Sequence, residues 1–137
     1  MPTPETLERF VARVAQNAHV EAIEEFYTAN ASMQENQSAP RLCRDNHATT
    51  TQQPRNNHAT GERKVMARAL SVTSKCVRPV LANGDHVVIR WIFHFEWRDG
   101  SFTQMEALAC QRWEGERIAQ ETFFYDPAQR VPQQRLA

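Results

Sequence analysis

From His86 to Asp126 apolar and polar side chains alternate almost without a break, and this alternation limits what the chain can fold into more than any other feature. Val87, Ile89, Trp91, Phe93, Phe95 and Trp97 share one parity, while Arg90, His94, Glu96 and Arg98 share the other. Successive residues of a strand point to opposite faces. The segment therefore presents a continuous apolar and aromatic wall on one side only. Arg98-Asp99-Gly100 and Glu114-Gly115-Glu116 are turn signals that divide it into three long strands. The third ends Glu121-Thr122-Phe123-Phe124-Tyr125-Asp126, which puts Glu121, Phe123 and Tyr125 on one face. A sheet with such a wall needs a second layer against it.

The N-terminal part supplies that layer. Thr3-Pro4 is a helix start, with a hydroxyl at the N-cap and proline at the first helical position. Leu7, Phe10, Val11 and Val14 then form one apolar stripe, which predicts a helix over about 4–16. Asn17-Ala18-His19 breaks it, and a second helix over about 20–29 carries Val20, Ile23, Phe26 and Tyr27 on one face. Asn30 to Pro40 is polar and irregular, with a short strand expected at Ala31–Glu35. Glu62–Leu70 reads as a third helix with Val65, Met66, Ala69 and Leu70 inward. A strand over about 71–82 then ends at the turn signal Asn83-Gly84-Asp85. Helices first and a four-stranded antiparallel meander after make an α+β domain. Asp126-Pro127 closes the sheet, and the polar tail after Ala128 is expected to fray.

Between these elements Asn46-His47-Ala48-Thr49 recurs as Asn57-His58-Ala59-Thr60, with only polar residues, Pro54 and no apolar side chain in between. Such a segment cannot bury enough surface to offset its ordering entropy, so it is expected to be a loop. Its histidines have no carboxylate or cysteine at a ligand spacing, so no metal is expected there.

With 137 residues the chain makes one domain. Its 16 basic and 16 acidic residues cancel, which gives no support for a nucleic-acid or membrane-surface partner. The N-terminus lacks a basic segment followed by an apolar one, and no apolar run approaches the ~20 residues of a membrane span. Cys43, Cys76 and Cys110 are an odd, scattered set that fits reduced thiols in a cytoplasm.

Taken together, the helix pair, the segment Phe26-Tyr27-Thr28-Ala29-Asn30-Ala31-Ser32-Met33-Gln34-Glu35, the turn at Pro40-Arg41 and Arg44-Asp45, a third helix and the meander ending at Asp126 resemble the NTF2-like superfamily, and within it the SnoaL-like group. The resemblance covers nearly the whole chain. It implies a cone-shaped curved antiparallel sheet wrapped around three N-terminal helices, open at one end to a pocket. Polyketide cyclases, ketosteroid isomerases and limonene epoxide hydrolases belong to that group. The polar stretch at Asn46–Gly61 departs from the family pattern, where the Arg-Asp turn leads more directly into the third helix.

On this matching Glu35 takes the position of the general-base carboxylate of the isomerases, and Phe95 and Trp97 take pocket-lining positions. Met105, Ala107 and Ala109 point inward, as do Glu121, Phe123 and Tyr125. A carboxylate walled by aromatics loses hydration, which suits it to proton abstraction beside a carbonyl or to acid assistance in a cyclisation. Tyr125 would donate to a developing oxyanion. The isomerase constellation is incomplete, since Val14 and Ala109 stand where both enolate-oxygen donors would be. Steroid isomerisation is therefore not expected, nor is the Asp-Arg-Asp arrangement of the epoxide hydrolases found. Glu121 reads equally as a pocket group and as half of a structural hydrogen-bonded pair, and Glu35 as a base or a solvated residue. His94, Glu96, Arg98, Arg90, Glu106 and Arg112 on the outer face form cross-strand charge pairs or a homodimer interface. The expected function is acid/base chemistry on an apolar carbonyl compound, without metal or organic cofactor. The alternatives are a non-catalytic binding module and a dimerisation scaffold.

Overall fold

The computed structural model of the protein describes residues 1–37 and 67–135. Helix α1 spans Pro4–Ala15, and the Thr3 hydroxyl caps it by accepting from Thr6 N at 3.2 Å. It stops at Asn17, whose φ of 63° is a left-handed conformation that asparagine tolerates. Helix α2 follows over His19–Phe26. Arg9 and Arg13 of α1 both reach Glu25 of α2 and fix the helices side by side.

Five strands form one sheet: β1 Tyr27–Glu35, β2 Ala69–Asn83, β3 His86–Trp97, β4 Phe102–Glu114 and β5 Arg117–Phe124, in the spatial order β1-β5-β4-β3-β2. The meander β2 to β5 is antiparallel, as the turn signals require. Gly100, at φ +90°, makes the turn from β3 to β4, a conformation that a side chain would strain. Beside it Asp99 Oδ1 accepts from Ser101 N at 2.9 Å.

Three expectations are corrected. The sheet is mixed and five-stranded, because β1 pairs in parallel with β5. Helix α2 ends at Phe26, three residues short of the expected boundary region, because Tyr27 already pairs with Ile118 at the sheet edge. The described residues contain two α-helices, not three. Of the segment expected as the third, Ala67 and Arg68 are helical, Ala69 and Leu70 open β2, and Glu62–Met66 lie outside the described residues. Cys43, the Arg-Asp turn and the polar stretch at Asn46–Gly61 also lie outside them.

The tail beyond Ala128 does not fray at once. A 3-10 turn at Pro127–Arg130 is capped by Asp126, and Phe102 and Gln133 exchange both backbone hydrogen bonds at 3.0 and 2.7 Å. This return brings Arg130 and Pro132 back to the sheet's inner side.

Burial follows the alternation. Val87, Ile89 and Trp91 of β3, with Ala109, Trp113 and Ile118 of β4 and β5, are at most 2% exposed. Arg90, Glu106 and Leu108 on the other parity are exposed. The helices seal one end of this inner face. Phe10 meets Phe26 edge to face at 5.5 Å and Trp113 at 5.8 Å, which ties α1 to α2 and both to the sheet.

Candidate functional site

The helices cover only part of the inner face, and the remainder encloses a cavity of about 800 Å³. Phe93, Phe95 and Trp97 of β3 supply one wall, with Met105 and Ala107 of β4 and Phe123 of β5 beside them. The rings of Phe95 and Trp97 stack at 5.3 Å and 3°. Trp97 Nε1 donates to Thr103 Oγ1 at 2.7 Å, so the indole is held in place and its polar edge is satisfied.

Glu121 opens on this cavity and is 2% exposed. Its Oε1 accepts from the Tyr27 hydroxyl, and its Oε2 accepts from Gln111 Nε2 at 2.6 Å. Gln111 Oε1 in turn accepts from Trp113 Nε1 at 3.0 Å. An indole nitrogen can only donate, so the Gln111 amide must turn its oxygen to Trp113 and its nitrogen to Glu121. Both readings of Glu121 thus meet in one residue, because it lines the cavity and is hydrogen-bonded by the core.

A second polar cluster joins Glu35 of β1, Tyr125 and Arg130 in the same cavity wall. Arg130 Nη1 lies 3.4 Å from Glu35 Oε2 and 3.3 Å from the Tyr125 hydroxyl. Burial pushes the Tyr125 phenol above its ordinary range, and the negative charge of Glu35 adds to that, against the opposing effect of Arg130. Tyr125 is therefore a protonated donor at neutral pH.

A third cluster was not read from the sequence. His19 lines the cavity, edge-on to the Phe93 ring at 5.7 Å. Its Nε2 is 3.0 Å from Ser74 Oγ, Ser74 Oγ is 2.8 Å from Asn17 Oδ1, and Asn17 Nδ2 donates to Val72 O at 2.7 Å. A carbonyl only accepts, so each link has one direction: Asn17 donates to Val72, Ser74 to Asn17 and His19 to Ser74. This network has the His19 ring donate from Nε2 to Ser74.

Of the expected residues, Glu35, Glu121, Tyr125, Phe95, Trp97, Met105 and Phe123 all line the one cavity. Ala109 does not. It is fully buried opposite Ile89, where the helices already cover the sheet, and Ala107 takes the lining position. Arg98, placed on the outer face by parity, instead lines the cavity, because β3 ends at Trp97 and the turn breaks the alternation. Gln111 could have been flagged as a polar residue at a core parity of β4. Tyr27 could not, since the helical stripe claimed it.

On the outer face Arg90 pairs with Glu106, and Glu96 meets Arg135 and His94. The Glu96 carboxyl is held below its usual range by Arg135 first and His94 second. Burial pushes the Cys76 and Cys110 thiols up, away from nucleophilic thiolates. Among the described residues no three His, Cys, Asp or Glu side chains group as metal ligands, and no helix is long and apolar enough to cross a membrane.

No family model and no curated protein matches the sequence. Solved structures do match. An NTF2-like protein of unknown function from Burkholderia pseudomallei is 8% identical at a TM-score of 0.70, over 93% of this chain and 92% of that one. A candidate polyketide cyclase from Pseudomonas putida is 13% identical at a TM-score of 0.70, over 96% of each chain. A protein of ketosteroid isomerase-like fold from Catenulispora acidiphila, solved in complex with trimethylamine, is 16% identical at 0.68, over 93% and 89%.

The hydrogen bond from Tyr27 to Glu121 is buried, so Tyr27→Phe should cost about 1–3 kcal/mol in urea unfolding, while Tyr125→Phe in the cavity wall should cost under about 1 kcal/mol. Equal losses from the two substitutions would contradict the assignment of Glu121 to the core network.

Proposed function

The chain has the NTF2-like fold, and from that premise we propose that its cavity binds a small apolar carbonyl compound and performs acid/base chemistry on it. The observation that carries the reading is an apolar, aromatic cavity whose wall holds three carboxyl groups, Glu35, Asp99 and Glu121, and one protonated phenol. Glu35 acts as the base on a C–H next to the carbonyl, and the Tyr125 hydroxyl beside it donates to the oxygen that gains charge. Glu121, anchored by Tyr27 and Gln111, is the inner carboxyl that meets the far end of the ligand. Phe95, Trp97, Met105 and Phe123 bury the ligand's apolar surface, and no metal or organic cofactor takes part in the proposed steps.

Proton exchange tests this reading without knowledge of the natural substrate. In D2O the protein should speed exchange of the α-protons of 2-tetralone, followed by NMR, with saturation in ketone. Glu35→Gln should lower the exchange rate by a factor on the order of 10² or more, the size expected of a lost general base. Binding of 2-tetralone without faster exchange would leave a non-catalytic binding module; absence of binding would remove both readings.

The outer face of the sheet supports a homodimer in this proposal. Leu108 and Phe124 are paired neighbours, each 42% exposed, and Leu81 on β2, paired with Val88, is 59% exposed. Light scattering should give twice the chain mass for the protein and the single mass for Leu108→Glu. A monomer before substitution would rule the dimer out.

A further inference from the structure

We infer that the ligand of this cavity carries a carboxylate, held at the Trp97 side of the cavity by Arg68 and Arg98. The inference rests on the reading of the cavity as a binding site and narrows its ligand to an apolar acid.

The first observation is a contrast among the arginines. Arg9, Arg13, Arg78, Arg90, Arg130 and Arg135 each meet a glutamate carboxylate. Arg112 and Arg117 donate to the neutral oxygens of Gln120 and Tyr27. Arg68 and Arg98 line the cavity, and among the described residues neither has a carboxylate within ion-pair distance. Arg68 lies over the Trp97 ring at 5.6 Å, and Arg98 Nε donates to Ala67 O over a long 3.4 Å.

The second observation is their placement. Ala69 pairs with Trp97 across β2 and β3, so Arg68, just before β2, and Arg98, just after β3, both adjoin that pair. The Arg98 contact to Ala67 brings its side chain against the backbone next to Arg68. One cationic group thus lies over an indole that walls the cavity, and a second is held to the backbone beside it. Asp99, the nearest acid in sequence, also lines the cavity, but among the described residues it forms no ion pair with either arginine. Asp99 turns its carboxylate to the Ser101 hydroxyl and backbone N–H, and these bonds hold its carboxyl below the ordinary range.

The chemistry follows from the guanidinium. A guanidinium can stack on an aromatic ring and still offer an edge of N–H donors, a fork that matches the two oxygens of a carboxylate. Both arginines are exposed, so a carboxylate paired with them stays open to solvent and is screened by salt. The other charged groups of the cavity set the orientation. Arg130 is engaged by Glu35, the carboxyls of Glu35 and Glu121 disfavour a second anion near them, and the third carboxyl of the lining, Asp99, directs its acceptor oxygen to Ser101. An anionic head is therefore directed to Arg68 and Arg98, and the apolar body lies along Phe95 and Trp97.

Calorimetric titration with 2-naphthylacetate and with 2-naphthylacetamide, of the same shape and no charge, tests this. The acid should bind at least about tenfold more tightly than the amide, and added salt should narrow the gap. Arg68→Gln and Arg98→Gln should each weaken the acid about tenfold and leave the amide within about twofold. Arg112→Gln, away from the cavity, should change neither, and thermal melts should show all three variants folded. Equal binding of acid and amide, or variants that weaken both alike, would overturn the inference and leave the cavity reading intact. Binding of neither probe would take both down.

Discussion

Every element of this molecule is positioned by the two-residue period of strands β3 to β5. A strand alternates its faces without exception, so one slip of register would exchange the whole aromatic set for the charged one. The chain closes that option at both ends. At one end Phe10 and Trp113 lock the helices onto the inner face edge to face. At the other, Trp97 is hydrogen-bonded to Thr103 across the β3–β4 turn. Reversing the parity would bury Arg90 and Glu106 under the helices and expose three tryptophans, and burial of charge costs far more than the pairs on the outer face return.

The helices are shorter than the inner face they cover, and the cavity is the part left over. Two of its polar groups, Glu121 and His19, stand on a strand and a helix and are fixed by hydrogen-bond networks. Glu121 is bound by donors from the α2–β1 junction and from β4, and Gln111 is oriented by an indole that can act in one way only. His19 is oriented by the same logic through Ser74 and Asn17. Each network uses a group with a fixed donor or acceptor role to settle the direction of the next. A wall built this way offers a ligand a preset pattern of donors and acceptors, with little left to reorganise on binding.

Much of this was legible in the sequence, and the gaps have physical causes. The meander, its turns, helix α1 with its Thr3 cap and the inward set from Phe95 to Tyr125 all rest on local periodicity and turn chemistry, which act within a few residues. The parallel pairing of β1 with β5 rests on contacts such as Met33 with Glu121, far apart in sequence, and no local pattern announces them. Tyr27 was misplaced for the same reason, since its apolar ring continues the helical stripe of Ile23 and Phe26 while its backbone belongs to the sheet. Ala109 faces inward as expected, but parity alone cannot tell covered core from open cavity; only the reach of the helices decides that. Arg98 shows where the parity rule ends, one residue past the strand.

The central claim is that β3 and β4 turn their tryptophans inward, and iodide quenching of tryptophan fluorescence tests it most directly. All three tryptophans, Trp91, Trp97 and Trp113, belong to the inner face, and Trp91 and Trp113 are 2% and 0% exposed. The account predicts that iodide reaches only Trp97, through the cavity, so that Trp97→Phe leaves an emission almost untouched by the quencher. Strong quenching that persists in Trp97→Phe would mean that Trp91 or Trp113 faces water, and the inside and outside of the sheet would have been assigned the wrong way round.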